Sequence, residues 1–291
     1  MTENTYSPPV STLLTLGDVH RSTGWPGYLA YGLTDAHIPD LIRMALDEDL
    51  HWADSESPEV WAPIHAWRAL GQLRAQAAIE PLVQLLHRID EDEDDWVGEE
   101  LPKVLALIGP AAIPTLQTFL ASTEQGLWAR VAASAALEEI GKQYPESRND
   151  CVLGLTNQLG EHQAQDPTLN AELVYALVEL RAVEAAPMIE AAFAAKAVDL
   201  SVQGDWEEVQ IELGLLSERL TPAPRGGWLP ASWAEKWATL TEKPEAPLKP
   251  DAVLTTKKAK EEAEHAKKRR TRKLAKQTKQ KQMRQKKKKK K

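Results

Sequence analysis

The sequence predicts an all-α protein in which helical hairpins stack into an α-solenoid, followed by a disordered basic C-terminal tail. Three observations lead to this fold class. Leucine anchors recur at intervals of 35, 32 and 40 residues, at Leu70, Leu105, Leu137 and Leu177. A tryptophan stands nine residues before each of the first three anchors, at Trp61, Trp96 and Trp128. Around each anchor, apolar residues recur at helical spacing in two successive runs, which indicates a repeated pair of helices.

The repeat around Leu105 shows how each unit is built. Four apolar side chains share one helix face in its first run, Leu101, Val104, Leu105 and Ile108. Four more share a face in its second run, Ala112, Ile113, Leu116 and Phe119. Between the runs, Gly109 is expected in a left-handed cap conformation, and Pro110 cannot continue the first helix. Pro114 falls in the first turn of the next helix, where its missing N–H is tolerated.

A hairpin with apolar stripes on both helices cannot bury them alone, so the repeats predict a continuous stack over residues 24–220, after an N-terminal segment, 1–23. A less regular first unit is predicted from "AHIPDLIRMAL", where four apolar residues fall in step, Ile38, Leu41, Ile42 and Ala45. Near the other end, Asp205 is a candidate N-cap, and Glu208 completes a capping box. The helix that follows is expected to close the stack.

Beyond the repeats, residues 221–256 are predicted to form a linker rich in Pro and Trp. Its central stretch, "SWAEKWATL", has Ser232 at a possible N-cap position and Glu235 three residues later. Trp233 and Trp237 would share one face of this short helix. We therefore expect the helix to dock on the last hairpin.

A strong segregation of charge underlies the net charge of −8. Residues 257–291 hold 19 Lys and Arg against three Glu, a net charge of +16, whereas residues 1–256 hold 16 basic and 40 acidic side chains, a net charge of −24. A tail of this composition is expected to be disordered or marginally helical. It is a candidate contact for RNA, including ribosomes, through phosphate neutralisation; alternatively it folds back on the acidic body as a counter-charge. The nucleic-acid candidates are Lys267, Lys268, Arg269, Arg270, Arg272, Lys273, Lys286, Lys287, Lys288, Lys289, Lys290 and Lys291.

Two stretches carry a family resemblance, "WARVAASAALEEIG" at Trp128–Gly141 and "ALIGPAAIPTLQTFL" before it. They are similar to HEAT-like repeats of the type first named in the phycobilisome lyases, whose pattern contains Val-Arg, Ala-Leu, Ile-Gly and Ala-Ile-Pro. Arg130 and Val131 stand in swapped order, while Leu137 and Gly141 follow the pattern. The resemblance covers residues 60–195 and extends to bacterial HEAT-repeat proteins. It implies an α-solenoid that most often acts as a protein-binding scaffold and occasionally as an enzyme.

The enzymes among such proteins supply the alternative function. Iron-dependent hydroxylases built on these repeats use His-Glu dipeptides as ligands, and none of the seven histidines here precedes Glu. A bilin-lyase-like role stays open, because that resemblance rests on the repeats. One crowded stretch places His51, Asp54 and His65 close in sequence, as a candidate zinc or iron site. The competing interpretation is that the tryptophans of this stretch pack hairpins together and the histidines form local hydrogen bonds.

The acidic run Asp90–Asp95 alternates carboxylates like the start of an EF-hand loop. However, Asp95 stands where glycine is needed, and Leu101 stands where the bidentate Glu belongs. The run therefore predicts a solvated loop between repeats, with acidic side chains near a helix start at Trp96. The sequence also lacks phosphate-binding glycine loops and nucleophile elbows, so no cofactor is expected.

The single cysteine, Cys151, excludes an internal disulfide and favours a reducing compartment. The first residues lack the cationic and apolar regions of a signal peptide, and no run of about 18 apolar residues occurs. The sequence therefore predicts a cytoplasmic monomer without membrane contact. Its expected function is a non-catalytic interaction scaffold, with a protein partner in a groove lined by the second helices of the hairpins.

Overall fold

The computed structural model describes residues 6–19 and 24–222, all within the first of two units of the chain, Met1–Trp228 and Leu229–Lys291. These residues contain thirteen α-helices and no β-strand, so the all-α prediction is confirmed. The helices are α1 (Ile38–Ala45), α2 (Glu48–His51), α3 (Ala62–Gln72), α4 (Ile79–Gln84), α5 (Arg88–Glu91), α6 (Asp95–Ile108), α7 (Ile113–Ala121), α8 (Leu127–Gln143), α9 (Arg148–Leu159), α10 (Pro167–Glu179), α11 (Ala186–Ala194), α12 (Leu200–Gln203) and α13 (Trp206–Glu212).

Four helix pairs correspond to the predicted hairpins: α3 with α4, α6 with α7, α8 with α9, and α10 with α11. The first helices form one layer, in which α3 packs against α6, α6 against α8, and α8 against α10. The second helices form another layer, in which α4, α7, α9 and α11 each contact the next. A short 3₁₀ turn precedes the second helix of each hairpin, at Gln76–Ala78, Pro110–Ala112, Pro145–Ser147 and Val183–Ala185.

The four leucine anchors lie on the first helices, and all four are fully buried. The predicted apolar stripes of α6 and α7 are buried as well, and they join one hydrophobic core that extends from Tyr6 to Leu213. The three tryptophans that precede the anchors do not share one packing role. Trp61 and Trp96 meet edge to face, with ring centroids 5.3 Å apart, but Trp128 is 49% exposed.

The first and fourth hairpins turn in the same way. After α3, Arg74 adopts a φ of +51°, and the amide of Ala75 donates to the carbonyl of the anchor Leu70 at 3.1 Å. This bond satisfies a carbonyl that would otherwise lack a partner at the helix end. After α10, Arg181 has a φ of +53° and the equivalent hydrogen bond is present. The repeat in the sequence is therefore a repeat in backbone conformation.

Gly109 breaks the helix as predicted, since α6 ends at Ile108, but its predicted left-handed conformation is wrong. Its φ is +104° and its ψ is −162°. The ψ is extended because a residue that precedes proline is held away from helical ψ values, and Pro110 follows. Only glycine readily combines a positive φ with an extended ψ. A Cβ atom here would also lie 3.2 Å from the ring of Tyr144.

The described residues before α1 pack onto the helices. The 3₁₀ helices Val10–Thr15 and Tyr28–Tyr31 both contact α3. Together with α1 and α6 they cover α3 so fully that every residue from Ala62 to Gly71 is buried. At the other end, α12 packs on α10 and α13 packs on α11. The predicted N-cap of α13 is present, because the Asp205 carboxylate accepts from the Glu208 amide at 3.1 Å.

Two carboxylates of the acidic run accept hydrogen bonds from the backbone at helix starts. The prediction of a solvated loop is wrong for these two residues. Asp94 is buried, and it caps α6 by accepting from the Trp96 amide at 3.1 Å. Asp90, on α5, reaches the third hairpin and accepts from the amides of Trp128 and Ala129, at 3.1 and 2.8 Å. The N-cap residue of α8 is Gly126, which has no side chain to do this. Asp90 therefore caps α8 from another repeat.

Within the described ranges, no single helix combines the length and apolar character needed to cross a membrane. The helix α6 taken together with Pro110–Ala121 passes on length and composition, with a bend of 114° between the two parts.

Removal of the Asp90 carboxylate should leave two amides at the start of α8 without their acceptor. We expect Asp90→Ala to lower the free energy of unfolding by about 0.5–2 kcal/mol, and Asp90→Asn to lose less because one side-chain oxygen remains. Urea unfolding followed by circular dichroism measures the difference. Glu91→Ala, on the same turn, is the control and should change stability by only a few tenths of a kcal/mol. Equal losses for Asp90→Ala and Glu91→Ala would contradict the capping role.

Candidate functional site

A shallow open cavity of about 440 Å³ lies on the layer of first helices, between α6 and α8. Its lining residues are Trp25, Lys103, Ala106, Leu107, Glu139, Lys142 and Gln143. The sequence positions explain the cavity. On α6 the lining residues stand at i, i+3 and i+4, and the same spacing occurs on α8, so each helix contributes one face. The opposite faces of these helices hold the leucine anchors in the core.

Trp25 forms one wall of the cavity, and a buried ion pair holds it in place. The Cζ atom of Arg68 lies 5.0 Å from the centroid of the Trp25 ring, within cation–π distance. Arg68 donates two hydrogen bonds to Glu100, at 2.8 and 2.7 Å, and both residues are about 5% exposed. Burial opposes the charge of Arg68, but the hydrogen bonds to Glu100 outweigh it and raise the arginine pKa. The pair joins α3 to α6 beneath the tryptophan.

A second buried contact fixes the backbone that carries Trp25. The Nε2 atom of His65 lies 2.8 Å from the carbonyl oxygen of Gly17, and its Nδ1 lies 2.7 Å from the Tyr28 hydroxyl. A carbonyl can only accept, so Nε2 carries the proton and Nδ1 accepts from Tyr28. Burial lowers the pKa of His65 and raises the pKa of Tyr28 to about 12, so both side chains are neutral at pH 7. In addition, the Tyr28 amide donates to Gln72 at 2.8 Å.

From the cavity, a row of polar side chains continues onto α10. Lys142 donates to Glu138 at 2.7 Å and to Glu179 at 2.5 Å, which links α8 to α10. Burial alone would lower the pKa of Lys142, but these two carboxylates raise it. Tyr175 lies beside this group and is 41% exposed. Burial raises the pKa of the nearby Glu172, which has no ion pair within the described residues.

We call this surface the first-helix face. It consists of Trp25, the α6 residues Glu99, Lys103, Ala106 and Leu107, the α8 residues Glu138, Glu139, Lys142 and Gln143, and the α10 residues Glu172, Tyr175 and Glu179. Five carboxylates and two ammonium groups give it a formal charge of −3. Two aromatic rings and the side chains of Ala106 and Leu107 supply apolar area, so the face can bind a ligand that is both apolar and charged.

The three residues of the candidate metal site do not share a site. His65 is engaged by Gly17 and Tyr28, as described above, and the Nε2 atom of His51 lies 3.2 Å from a carboxylate oxygen of Asp94. Asp54 is exposed and accepts from the amide of Glu56 at 3.0 Å. Within residues 6–19 and 24–222, no group of three or more His, Cys, Asp or Glu side chains is arranged to hold a metal ion.

The aromatic residues of the same stretch have packing roles. Trp67 is fully buried, and its indole N–H donates to the carbonyl of Ala45 at 3.0 Å, which ties α3 to α1. The indole N–H of Trp52 donates to Glu48 at 2.9 Å. Cys151 is also buried, and burial raises the pKa of its thiol to about 11. At neutral pH this thiol is protonated, which makes it a poor nucleophile.

Several predicted features lie outside the described residues. These are the docking helix with Trp233 and Trp237, and all of the nucleic-acid candidates from Lys267 to Lys291. The repeat pattern does not predict the first-helix face, since it places the expected partner groove on the second helices. The sequence pattern that indicates this face is the recurrence of polar residues at helical spacing on α6 and α8, opposite the leucine anchors. Its wall, Trp25, belongs to an irregular segment whose position no periodic pattern predicts.

No family model matches this chain, and no curated protein or solved structure is significantly similar to it.

The neutral state of His65 gives a pH dependence with a definite sign. Its pKa is lower in the folded chain than the usual value of 6.5 in the unfolded chain. The contribution of His65 to stability is therefore complete above pH 6.5 and is lost as the pH falls from 6.5 toward the folded pKa, with a slope of at most about 1.4 kcal/mol per pH unit. Urea unfolding at neutral and mildly acidic pH should show this loss in the parent protein.

The variant His65→Gln has no titrating group at this position, so its stability should fall less over the same pH range. His87→Gln, which changes a histidine near the surface, is the control and should retain the parent slope. If His65→Gln and the parent protein show the same slope, the neutral hydrogen-bonded state of His65 is incorrect.

Proposed function

We propose that this chain is a cytoplasmic interaction scaffold of the HEAT-like α-solenoid type, and that a protein partner binds the first-helix face. The solenoid assignment is supported by the order of packing, in which each first helix contacts the next first helix and each second helix the next second helix. It is also supported by the shared turn at Arg74 and Arg181. Repeats that contact only their neighbours give extended surfaces suited to binding other proteins.

The observation that carries this proposal is the cavity between α6 and α8, with Trp25 as its wall. Ala106 and Leu107 form an apolar floor, and charged side chains stand on both sides of it. Protein interfaces commonly have an apolar centre, often with an aromatic side chain, and a polar rim. The buried contacts of Arg68 and His65 hold the wall in place before any partner arrives, so little conformational entropy is lost on binding.

A comparison of matched variants tests where the partner binds. Leu107→Gln changes the floor of the cavity, whereas Leu153→Gln changes an exposed leucine on the second helix α9. We expect proteins that are captured by the parent chain to be lost with Leu107→Gln and retained with Leu153→Gln, quantified by mass spectrometry. Circular dichroism must show that both variants are folded. Loss with Leu153→Gln alone would place the partner on the second helices and reject the proposal.

A second role is proposed for the basic tail, because a charge of +16 within residues 257–291 is well suited to RNA phosphates. If about six phosphates are neutralised, affinity for RNA should fall by about three orders of magnitude between about 50 and 200 mM salt. We expect this steep dependence for the full-length protein and not for residues 1–256. Filter binding with mixed RNA at several salt concentrations measures it. Equal, weak and salt-insensitive binding by the two proteins would leave the tail as an intramolecular counter-charge.

A further inference from the structure

The first-helix face carries more negative charge than its lysines can neutralise. Lys142 is held between Glu138 and Glu179, so its charge is already compensated. The remaining ionisable side chains are three carboxyl groups, on Glu99, Glu139 and Glu172, and one amine, on Lys103. Within the described residues none of these four has an ion pair. The surrounding protein adds to this imbalance, because residues 1–256 carry a net charge of −24.

Glu172 is the residue of this face that most clearly requires a positively charged partner. It is partly buried on α10, burial raises the pKa of its carboxyl group, and among residues 6–19 and 24–222 no cation is paired with it. A positively charged group placed beside a desolvated carboxylate favours the ionised form. The neighbouring Tyr175 ring is exposed, and aromatic faces attract ammonium and guanidinium groups. A lysine or arginine side chain from a ligand would satisfy both groups.

The cavity suits the rest of such a side chain. Lysine and arginine have long aliphatic stems that lie along apolar surface while the charged head reaches a polar partner. In the cavity, Ala106 and Leu107 can contact the stem, and Glu139 on the α8 wall can bind the head. Lys103 stands on the α6 wall and repels a cation there. The ligand charge is therefore directed toward α8 and α10.

We propose that the first-helix face binds a basic segment of a partner protein, with one Lys or Arg side chain in the cavity and another between Glu172 and Tyr175. This inference rests on the proposed interaction function and names the chemistry of the partner. An acidic peptide or a nucleic acid would meet a face of formal charge −3 on a body of charge −24, and charges within about 8 Å act directly at physiological salt. Charge complementarity therefore favours a basic peptide.

The test uses the full-length protein and a fluorescein-labelled peptide of alternating Arg and Ala, with binding followed by fluorescence anisotropy. Glu139→Gln combined with Glu172→Gln should weaken binding about tenfold, which is about threefold for each lost contact. Lys103→Glu should change binding in the opposite direction and strengthen it several-fold. The control pair, Glu146→Gln with Glu190→Gln, removes two exposed carboxylates elsewhere and should stay within about twofold of the parent.

Three results would overturn the inference. The first is no binding of the Arg-Ala peptide. The second is equal weakening by the control pair, which means attraction to the acidic body in general. The third is binding of a Glu-Ala peptide or of single-stranded RNA that is stronger than that of the Arg-Ala peptide and is weakened by Lys103→Glu, because a change at this face does not alter binding to the basic tail. A different result would reject the proposed function, namely that Leu107→Gln captures the same proteins as the parent chain. A partner that is lost with Leu107→Gln, together with no basic-peptide binding, would retain the scaffold function and reject only the partner chemistry.

Discussion

The packing of the four hairpins depends on one constraint, which is that each first helix must be buried on more than one side. A hairpin of two short helices has apolar stripes that its own partner helix cannot cover, so each hairpin requires a neighbour. At the N-terminal end α1 and the 3₁₀ helices Val10–Thr15 and Tyr28–Tyr31 pack on α3, and at the C-terminal end α12 and α13 pack on the last hairpin. These end structures leave the outer side of α6, α8 and α10 accessible. The location of the first-helix face therefore follows from how the ends of the stack are closed.

Buried polar contacts determine how the segment that carries Trp25 and Tyr28 lies on the helices. The Arg68–Glu100 pair and the His65–Tyr28 hydrogen bond are both buried. Buried ion pairs contribute little net stability, because desolvation offsets their attraction, but the loss of one partner is severely destabilising. Only a narrow range of positions satisfies both groups. These contacts therefore select one placement of Trp25, and with it the shape of the cavity.

The features that the sequence predicts are those that depend on neighbouring residues in the chain. Helical periodicity around Leu70 and Leu105 depends on local spacing, as does the helix break at Gly109, and these predictions are confirmed. The conformation of Gly109 differs from the predicted left-handed cap because Pro110 holds the preceding ψ angle in the extended region. The positions of His51 and His65 depend on contacts with distant residues, Asp94 and Gly17, which no spacing reveals. The first-helix face combines residues from three hairpins and an irregular segment, so its composition was not predictable from one repeat.

The capping of α8 by Asp90 changes how stability is distributed along the stack. In an array of repeats, the free energy separates into terms intrinsic to each unit and terms for each interface between units. A helix cap normally belongs to the intrinsic term, but this one joins α5, the short helix between the first and second hairpins, to the third hairpin. It therefore strengthens the coupling between units at the expense of their independence. A chain with stronger coupling populates fewer partly unfolded species, so this single carboxylate makes the array behave more like one cooperative domain.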